Sequence, residues 1–262
     1  MKKIILNNLK KIYWVMSFQF GLDFRRTFKS LLGLKRFLPD LVRYRMEYKG
    51  VLEIKPCLHD WYEEGGATKS EYFWQDLLVA KMIFSANPKR HLDIGSRVDG
   101  FVAHVASFRE IDVLDVRPIT AQIPGVTFKQ ADLMRPLKNM SGVYDSVSCL
   151  HALEHFGLGR YGDPIDSKGS ENGLANIASI LCNKGVLYLS VPIGVNRVEF
   201  NANRVFDPRI IIDFALKNSL NLIELTLVHD DEVISMLIPD EEILSDLAKR
   251  RYTLGIFTFI KA

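Results

Sequence analysis

Short apolar runs alternate with helical or turn-rich segments from residue 90 onward, and this alternation restricts the fold more than any other feature. The runs that read as strands are "HLDIG", "IDVLDV", "VTFKQAD", "YDSVSCL", "GVLYLSVP", "LNLIELTLV" and "TLGIFTFIK". Crossover segments separate most of these runs, which is typical of a parallel-dominated sheet covered by helices. The last two runs flank "PDEEILSDLAKR", and we expect the final strand to insert antiparallel. The sequence therefore predicts an α/β fold.

The N-terminal part of the chain differs from the rest in charge. Residues 1–50 contain 12 lysines and arginines against 3 acids, whereas the whole chain has a formal net charge of only +3. Such a split indicates an appended basic segment with a role of its own. We therefore expect a basic helical N-terminal extension over residues 1–68 and a main domain over residues 69–262.

Two helix-leaning stretches make up this extension. Apolar residues recur at helical spacing over residues 4–20, namely Ile5, Leu9, Ile12, Met16 and Phe20. Residues 22–48 form a second basic stretch, which we expect to break near Pro39. These helices either pack on the main domain with a solvated basic face or lie on anionic lipid. Peripheral contact of residues 1–48 with the inner face of a membrane therefore stays open as an expectation.

Composition excludes several other classes of protein. No aromatic and basic interleaving accompanies the charge, so nucleic acid is not an expected partner. Stretches free of charged residues reach 12 residues, and a membrane span needs roughly 18. Lys10 and Lys11 interrupt the apolar start, which argues against a signal peptide. The widely spaced Cys57, Cys149 and Cys182 favour neither a disulfide framework nor a zinc site, and they fit a reducing cytoplasm.

The stretch "RHLDIGSRVDG", residues 90–100, joins the first strand to a turn and a helix start. Ligands of open α/β sheets bind outside the carboxyl ends of the strands, where this turn lies. Gly95 and Gly100 allow close approach of a ligand, and the helix start supplies free N–H donors. However, Asp93 would repel a phosphate and would attract a cation or a hydrogen-bond donor. The fit to a nicotinamide dinucleotide is therefore poor, and a nicotinamide-dependent reductase is a weak alternative.

Two further carboxylates follow the next two strands. Asp115 ends the second strand, where it can accept hydrogen bonds from both hydroxyls of a ribose. Asp132 lies just past the third strand, where it can accept from an exocyclic amine of a base. A cationic head near Asp93, a ribose at Asp115 and an adenine at Asp132 describe S-adenosylmethionine better than a nicotinamide dinucleotide.

The motifs "HLDIGSRVDG", "VLDV", "QADL", "YDSVSCLHALEH" and "NKGVLYLSVP" together resemble those of class I S-adenosylmethionine-dependent methyltransferases. The resemblance covers about residues 70–262. It implies a Rossmann-like seven-stranded sheet of order 3-2-1-4-5-7-6, with strand 7 antiparallel and helices on both faces. It also implies S-adenosyl-L-methionine as cofactor. The cofactor site it implies comprises Asp93, Gly95, Ser96, Gly100, Asp115, Val116, Asp132, Leu133 and Leu150.

The N-terminal segment "FGLDFRRTFKSLLGLKRF" is also similar to extensions on methyltransferases from bacterial surface-polysaccharide gene clusters. This resemblance implies a cytoplasmic bacterial enzyme of polysaccharide biosynthesis. Many members of the superfamily have a second glycine where Ser96 or Arg97 stands here. That departure motivates an alternative hypothesis: a methyltransferase-like binding or assembly protein that acts through its basic N-terminal arm.

The segment "HALEHFGLGRYGDP" follows the fourth strand and concentrates groups that can do chemistry. His151, Glu154 and His155 would share one face of a helical turn. Because the pKa of histidine lies near 6.5, His151 is our first candidate for a general base and His155 the second. A structural role for Glu154 and His155 stays open. Glu154, His155 and Asp163 match no known metal-ligand signature, so no metal is predicted.

Polar loops on both sides of the crevice predict the acceptor. Arg160, Tyr161 and Asp163 in the glycine-rich loop, and Asn196 and Arg197 after the fifth strand, are the expected substrate contacts. Such groups suit a polyhydroxylated or phosphorylated molecule. The sequence thus favours O-methylation of a sugar or another polar glycan-linked acceptor, and it leaves the oligomeric state undetermined.

Overall fold

The protein is described by a computed structural model that covers residues 9–66, 68–137, 139–228, 234–237 and 239–262, with the backbone alone for 234–237. The chain divides into two compact units, Met1–Ala67 and Thr68–Ala262. The start of the helix predicted over residues 4–20, including Ile5, lies outside the described residues. None of the described helices is both long enough and apolar enough to span a bilayer.

The first unit is built on one long helix, α1 (Phe24–Glu47), which follows a shorter helical segment with a π-helical turn at Val15–Gln19. The Asp23 carboxylate accepts hydrogen bonds from the first backbone N–H groups of α1 and so caps its N-terminus.

The predicted break near Pro39 is wrong, because α1 continues through this residue. Phe37 and Leu41, on either side of Pro39, line the same cavity together with Leu58. The packing surface that these side chains share keeps both halves of the helix aligned, although proline removes one backbone hydrogen bond.

The second unit is a mixed sheet with helices on both faces. Its strands are β1 (His91–Ile94), β2 (Ile111–Asp115), β3 (Val126–Gln130), β4 (Tyr144–Leu150), β5 (Leu181–Ile193), β6 (Arg197–Glu199), β7 (Asn203–Val205), β8 (Leu220–Val228), β9 (Ile234–Leu237) and β10 (Thr253–Lys261). Its helices are α2 (Glu71–Ala86), α3 (Ala103–Ala106), α4 (Gly169–Ile180), α5 (Pro208–Lys217) and α6 (Glu241–Leu247).

The sheet order is β3-β2-β1-β4-β5-β10-β8-β9. The pairs from β3 to β5 are parallel, and β10 is antiparallel to both β5 and β8. The order 3-2-1-4-5-7-6 with an antiparallel seventh strand is therefore confirmed, with β10 and β8 as the seventh and sixth strands. Every predicted run forms a strand.

Two features of the sheet were not expected from the sequence. Strand β9 extends the edge beyond β8, and the polar connection after β5 folds into a hairpin of β6 and β7. Three- and four-residue strands with mixed polar and apolar side chains produce no clear alternation, so their pattern resembles that of a loop.

Alternate residues of each strand face two separate core layers. Val113 and Tyr188 pack with Val79 and Phe101 on the face covered by α2 and the helical segment 98–106. On the opposite face, which α4, α5 and α6 cover, the buried side chains include Leu114, Leu189, Leu174, Ile177, Ile211 and Leu247. The period of two along each strand makes this arrangement possible. It leaves the carboxyl ends of the parallel strands open to ligands.

Substitution of Leu225 by alanine should destabilise the second unit. Leu225 lies on β8 and is 0% exposed, so its loss leaves a cavity and lowers the free energy of unfolding by about 2–5 kcal/mol. Leu216→Ala is the matched control, because Leu216 is 60% exposed and its loss should change stability by no more than about 0.5 kcal/mol. Urea unfolding measures both, and equal effects would contradict the described packing.

Candidate active site

The site begins with a carboxylate that is buried where β1 ends. Asp93 is 0% exposed and accepts hydrogen bonds from the backbone N–H of Ser96 (3.0 Å), the Ser96 hydroxyl (2.6 Å) and the Ser148 hydroxyl of β4 (2.6 Å). Burial raises the pKa of Asp93 to about 6, against the lowering effect of these donors. Asp93 therefore satisfies its hydrogen-bonding capacity within the protein and fixes the turn after β1 against β4.

A cleft opens beside this turn at the carboxyl edge of the sheet. The residues of the predicted cofactor site that line it are Gly95, Asp115, Val116, Asp132 and Leu133. From the predicted catalytic and substrate groups, His151, His155, Tyr161 and Asp163 line the same cleft. Most of the remaining lining is apolar, as in ordinary small-molecule sites.

Other predicted cofactor residues lie behind the cleft rather than in its wall. The hydroxyl of Ser96 is directed at Asp93 and also accepts the N–H of Leu150 (3.2 Å), and Leu150 belongs to the apolar core. Gly100 lies against the Asp76 carboxylate of α2, where a Cβ atom would come within 2.5 Å of an oxygen. These residues shape the turn and its neighbours, and their side chains do not line the cleft.

The carboxylate that ends β2 already has a partner. Arg117 binds Asp115 through two hydrogen bonds, Nε to Oδ1 (3.1 Å) and a terminal nitrogen to Oδ2 (2.7 Å). Such two-point pairing is the strongest form of a side-chain ion pair. The same guanidinium lies 4.4 Å from the ring centroid of Tyr161. Arg117 thus connects the end of β2 to the loop after β4 across the cleft.

Asp132 lies in the turn after β3. Its Oδ1 atom accepts the N–H of Met134 at 2.9 Å, and Arg135 lies 3.8 Å from Oδ2 at the exposed side. Asp132 is only partly buried and lines the cleft, so its carboxylate lies where a polar ligand group can approach.

A buried acid–base pair forms one end of the cleft. His151 Nδ1 lies 2.9 Å from Glu154 Oε1, and both side chains are at most 5% exposed. Burial by itself lowers the pKa of His151, but the hydrogen bond and charge of Glu154, with Glu71 and Asp76 nearby, leave it raised. Burial alone would raise the pKa of Glu154, but the hydrogen bond and the charge of His151 outweigh burial and lower it.

The local backbone aims these side chains. His151 adopts a left-handed conformation with φ of 51°, and a 3₁₀ turn follows at Leu153–His155. The expected single helical turn is therefore absent over residues 151–155, yet the three side chains still meet around one Glu154 oxygen. A non-glycine residue with positive φ is uncommon and is enriched at functional sites.

Three residues that the sequence did not suggest complete this cluster. Glu71 at the start of α2 has its Oε1 3.4 Å from His151 Nε2, and the Tyr252 hydroxyl donates a hydrogen bond to the same oxygen at 2.5 Å. Tyr72 lies tilted against the imidazole, with 4.6 Å between the ring centroids. His151 Nε2 and Glu154 Oε2 are buried and have no hydrogen-bond partner among the described residues. Glu71 and Tyr252 lie far from His151 in sequence, so no motif or spacing indicates that they contact it.

The glycine-rich loop after β4 is ordered by one of its own carboxylates. Asp163 accepts the backbone N–H groups of Gly157, Gly159 and Tyr161. Arg160 donates to the carbonyl of Ala202 (2.8 Å), as His155 does through Nδ1 (2.7 Å). Burial lowers the pKa of His155, so His155 favours the neutral state.

The predicted acceptor residues after β5 lie in a different cavity. Asn196 and Arg197 line a space beside the start of α5, together with Ser170 and Arg204. The Arg197 guanidinium is bound to Glu199 and to the carbonyl of Arg251.

Arg204 is 6% exposed, and its guanidinium donates to the carbonyl oxygens of Phe156 (2.6 Å) and Glu154 (3.3 Å). This side chain therefore fastens the β6–β7 hairpin to the loop after β4. Among the described residues, no group of three or more His, Cys, Asp or Glu side chains is arranged to bind a metal ion.

Comparison with solved structures identifies the fold. The 1,6-didemethyltoxoflavin-N1-methyltransferase of Burkholderia thailandensis, with S-adenosylhomocysteine bound, is 13% identical, with 86% of each chain covered and a TM-score of 0.52. The [4+2]-cyclase SpnF is 13% identical, with 71% of this chain and 81% of that chain covered and a TM-score of 0.51. The fold is thus the Rossmann-like fold of class I methyltransferases. Identities this low show the fold alone.

Sequence comparisons add little to this assignment. A family model described as "Caenorhabditis protein of unknown function, DUF268" matches residues 122–220, which is less than half of the chain. No curated protein sequence matches the chain.

Substitution of Glu154 by glutamine should lower the pKa of His151. The change removes the closest negative charge while burial of the imidazole, which acts in the lowering direction, remains. Titration of the imidazole signals by NMR measures this pKa in both proteins. His91 provides an internal control, because burial lowers its pKa to about 3. An unchanged His151 titration would show that Glu154 does not set the charge state of the site.

Proposed function

We propose that this protein is an S-adenosylmethionine-dependent methyltransferase. The observation that carries the proposal is the cleft itself, which is lined by Asp115, by Asp132 and by His151, the last held from behind by the buried Glu154. A nucleoside site and an acid–base group beside one cleft are the two requirements for methyl transfer to a protonated acceptor.

The residues present fit this cofactor. Gly95 lines the cleft with a left-handed backbone (φ of 70°), and a Cβ atom there would come within 2.9 Å of the Ala152 side chain, so the turn after β1 requires glycine. Asp115 and Asp132 offer carboxylate oxygens to ribose hydroxyls and to an amine, and Leu133 offers apolar surface. S-adenosylmethionine, when bound, supplies an already activated methyl group. The protein must then mainly position the acceptor and remove its proton.

His151 is the proposed general base. Its Nε2 atom is the ring nitrogen left without a hydrogen-bond partner among the described residues, and Nδ1 is bound to Glu154. A base oriented by a carboxylate keeps one tautomer and one direction. Glu71 Oε1 lies 3.4 Å from the same nitrogen, where its negative charge would stabilise the imidazolium formed when Nε2 takes up the proton.

For the acceptor we propose a hydroxyl of a sugar or another polar glycan-linked molecule, which would make the protein an O-methyltransferase of cytoplasmic polysaccharide biosynthesis in bacteria. Tyr161 and Asp163 line the cleft, and Arg160 lies in the same loop. Aromatic and charged groups of this kind suit a polyhydroxylated ring. The similarity of the N-terminal segment to extensions on polysaccharide-cluster methyltransferases supports the same class of acceptor.

The proposed function is tested by calorimetry and by a methyl-transfer assay. We expect S-adenosylmethionine and S-adenosylhomocysteine to bind, with reduced nicotinamide dinucleotide as the negative control. Turnover would be detected as S-adenosylhomocysteine formed in the presence of a panel of sugars and sugar nucleotides. No measurable binding of either sulfur nucleoside would overturn the proposal.

Replacement of His151 by asparagine should abolish most methyl transfer while cofactor binding stays within about threefold of wild type. Asparagine tolerates the left-handed backbone at this position, and loss of a general base typically lowers the rate by about 10²–10⁴-fold. The rate and the dissociation constant are measured on the same preparation. A variant with unaltered turnover would exclude His151 as the base.

Arg117→Gln should tighten binding of S-adenosylhomocysteine, because the nucleoside no longer competes with a two-point ion pair for Asp115. Asp115→Ala should weaken the same binding at least about tenfold, since carboxylate hydrogen bonds to hydroxyls are charge-assisted. Isothermal titration measures both constants. If Arg117→Gln weakens binding instead, Arg117 contacts the ligand rather than blocking its carboxylate.

A second candidate is a binding or assembly protein that has this fold and transfers no methyl group. The pairing of Asp115 with Arg117 favours it, because the guanidinium competes with a ribose for the Asp115 carboxylate. Under this alternative, deletion of residues 1–48 abolishes function in the cell while His151→Asn has no effect. The reverse pattern supports the enzyme.

A further inference from the structure

Helix α1 has an apolar stripe that runs along its whole length and is open to solvent. The stripe consists of Phe24, Phe28, Leu31, Leu38, Val42 and Met46, which are each between 56% and 64% exposed. Their spacings of three, four or seven residues place them on one side of a helix. With 24 residues, α1 is about 36 Å long.

The opposite side of α1 already has a partner within the first unit. A Cβ atom on Gly33 would come within van der Waals overlap of the Leu58 carbonyl, so the helix and the segment around residue 58 are in close contact there. Phe37, Leu41 and Tyr44 line a cavity with Leu52 and Ile54 on the same side. The exposed stripe is therefore a second apolar face, separate from the one that holds the unit together.

Basic side chains surround this second face. Residues 9–47 contain nine lysines and arginines against three acids. Arg25 and Arg43 lie on one flank of the stripe by helical position, and Lys35 interrupts it. All three residues are exposed.

The preceding helical segment has the same character as α1. Its exposed large apolar residues include Leu9, Ile12, Trp14 and Phe18, with Lys10 and Lys11 among them. The rings of Trp14 and Phe18 stack with 5.2 Å between centroids. Exposed tryptophan and phenylalanine beside lysines are typical of helices that lie in the interface of a lipid bilayer.

We propose that the stripe of α1, with the preceding helical segment, docks on the surface of an anionic phospholipid bilayer. The apolar side chains would insert at the level of the headgroups, and the arginines and lysines would contact lipid phosphates. This inference is independent of the chemistry proposed for the cleft.

A second copy of the chain is the main competing occupant, and charge disfavours it. Pairing of two stripes would bring two strongly basic surfaces together and would bury Lys35 in the seam. On a bilayer the same lysine can extend its amine to the headgroups while its stem stays in apolar surroundings.

The test compares binding of the full-length protein to vesicles of phosphatidylglycerol and phosphatidylcholine with binding to phosphatidylcholine alone. We expect binding to the anionic vesicles to be at least about tenfold stronger and to weaken as salt is raised, because screening shortens the reach of surface charge. Equal binding to both kinds of vesicle, or no binding to either, would overturn the proposal.

The double variant Leu31→Glu, Val42→Glu should lower binding to the anionic vesicles at least about tenfold. Its matched control is Leu216→Glu, Val198→Glu, which adds the same charges at residues of the second unit that are 60% and 56% exposed, and it should bind like wild type. Circular dichroism checks that both fold. Arg25→Gln with Arg43→Gln provides a milder second variant, which should reduce the preference for anionic lipid.

Sedimentation separates the remaining outcomes. If wild type is a dimer, the stripe variant is a monomer and neither binds vesicles, the stripe joins two copies and the lipid proposal is wrong. Equal vesicle binding by the stripe variant and its control would also overturn it.

Discussion

The buried Asp93 carboxylate is the interaction on which the geometry of the cleft depends. It accepts three hydrogen bonds, two from Ser96 in the turn and one from Ser148 on β4, and so joins the two central strands at their carboxyl ends. A buried carboxylate without such donors would be strongly disfavoured. The neighbouring His91 ring contacts the hydroxyls of Ser146 and Ser148 in the same way. These buried hydrogen bonds between β1 and β4 fix the position of the turn after β1.

The sheet could be predicted from sequence because most of its strands form apolar runs separated by crossovers. Seven runs produced seven strands, and the resemblance to class I methyltransferases implied their order. The strand-end positions of Asp115 and Asp132 follow from the same pattern, since the ends of parallel strands meet at one edge. The short strands β6, β7 and β9 were missed because their formation depends on pairing partners rather than on their own residues.

The partners of the candidate site residues could not be predicted. Arg117 lies two residues after Asp115, and nothing in the spacing indicates that it folds back on the carboxylate instead of facing solvent. Glu71 and Tyr252 come from opposite ends of the second unit and meet at His151 only because α2 and β10 are brought together. The direction of Asp93 was likewise ambiguous, because a donor from the protein and a cation from a ligand satisfy a carboxylate equally well. Each of these outcomes is decided by tertiary packing.

The raised pKa of His151 and the lowered pKa of Glu154 share a main cause, the hydrogen bond between these two buried side chains. Because the pair is coupled, the charge of either member depends on the other. The neighbouring His155 has a lowered pKa and favours the neutral state, so the three adjacent groups differ in charge. Burial acts against charge on all three; the hydrogen bond between His151 and Glu154 outweighs burial for these two side chains, whereas burial prevails for His155.

Arg204 joins the β6–β7 hairpin to the loop after β4 through backbone contacts. Its guanidinium binds backbone carbonyls rather than a carboxylate, so the attachment is insensitive to the side chains of the loop that it grips. The attachment of the hairpin therefore depends on the backbone of residues 154 and 156, whereas the internal order of the loop depends on the Asp163 side chain.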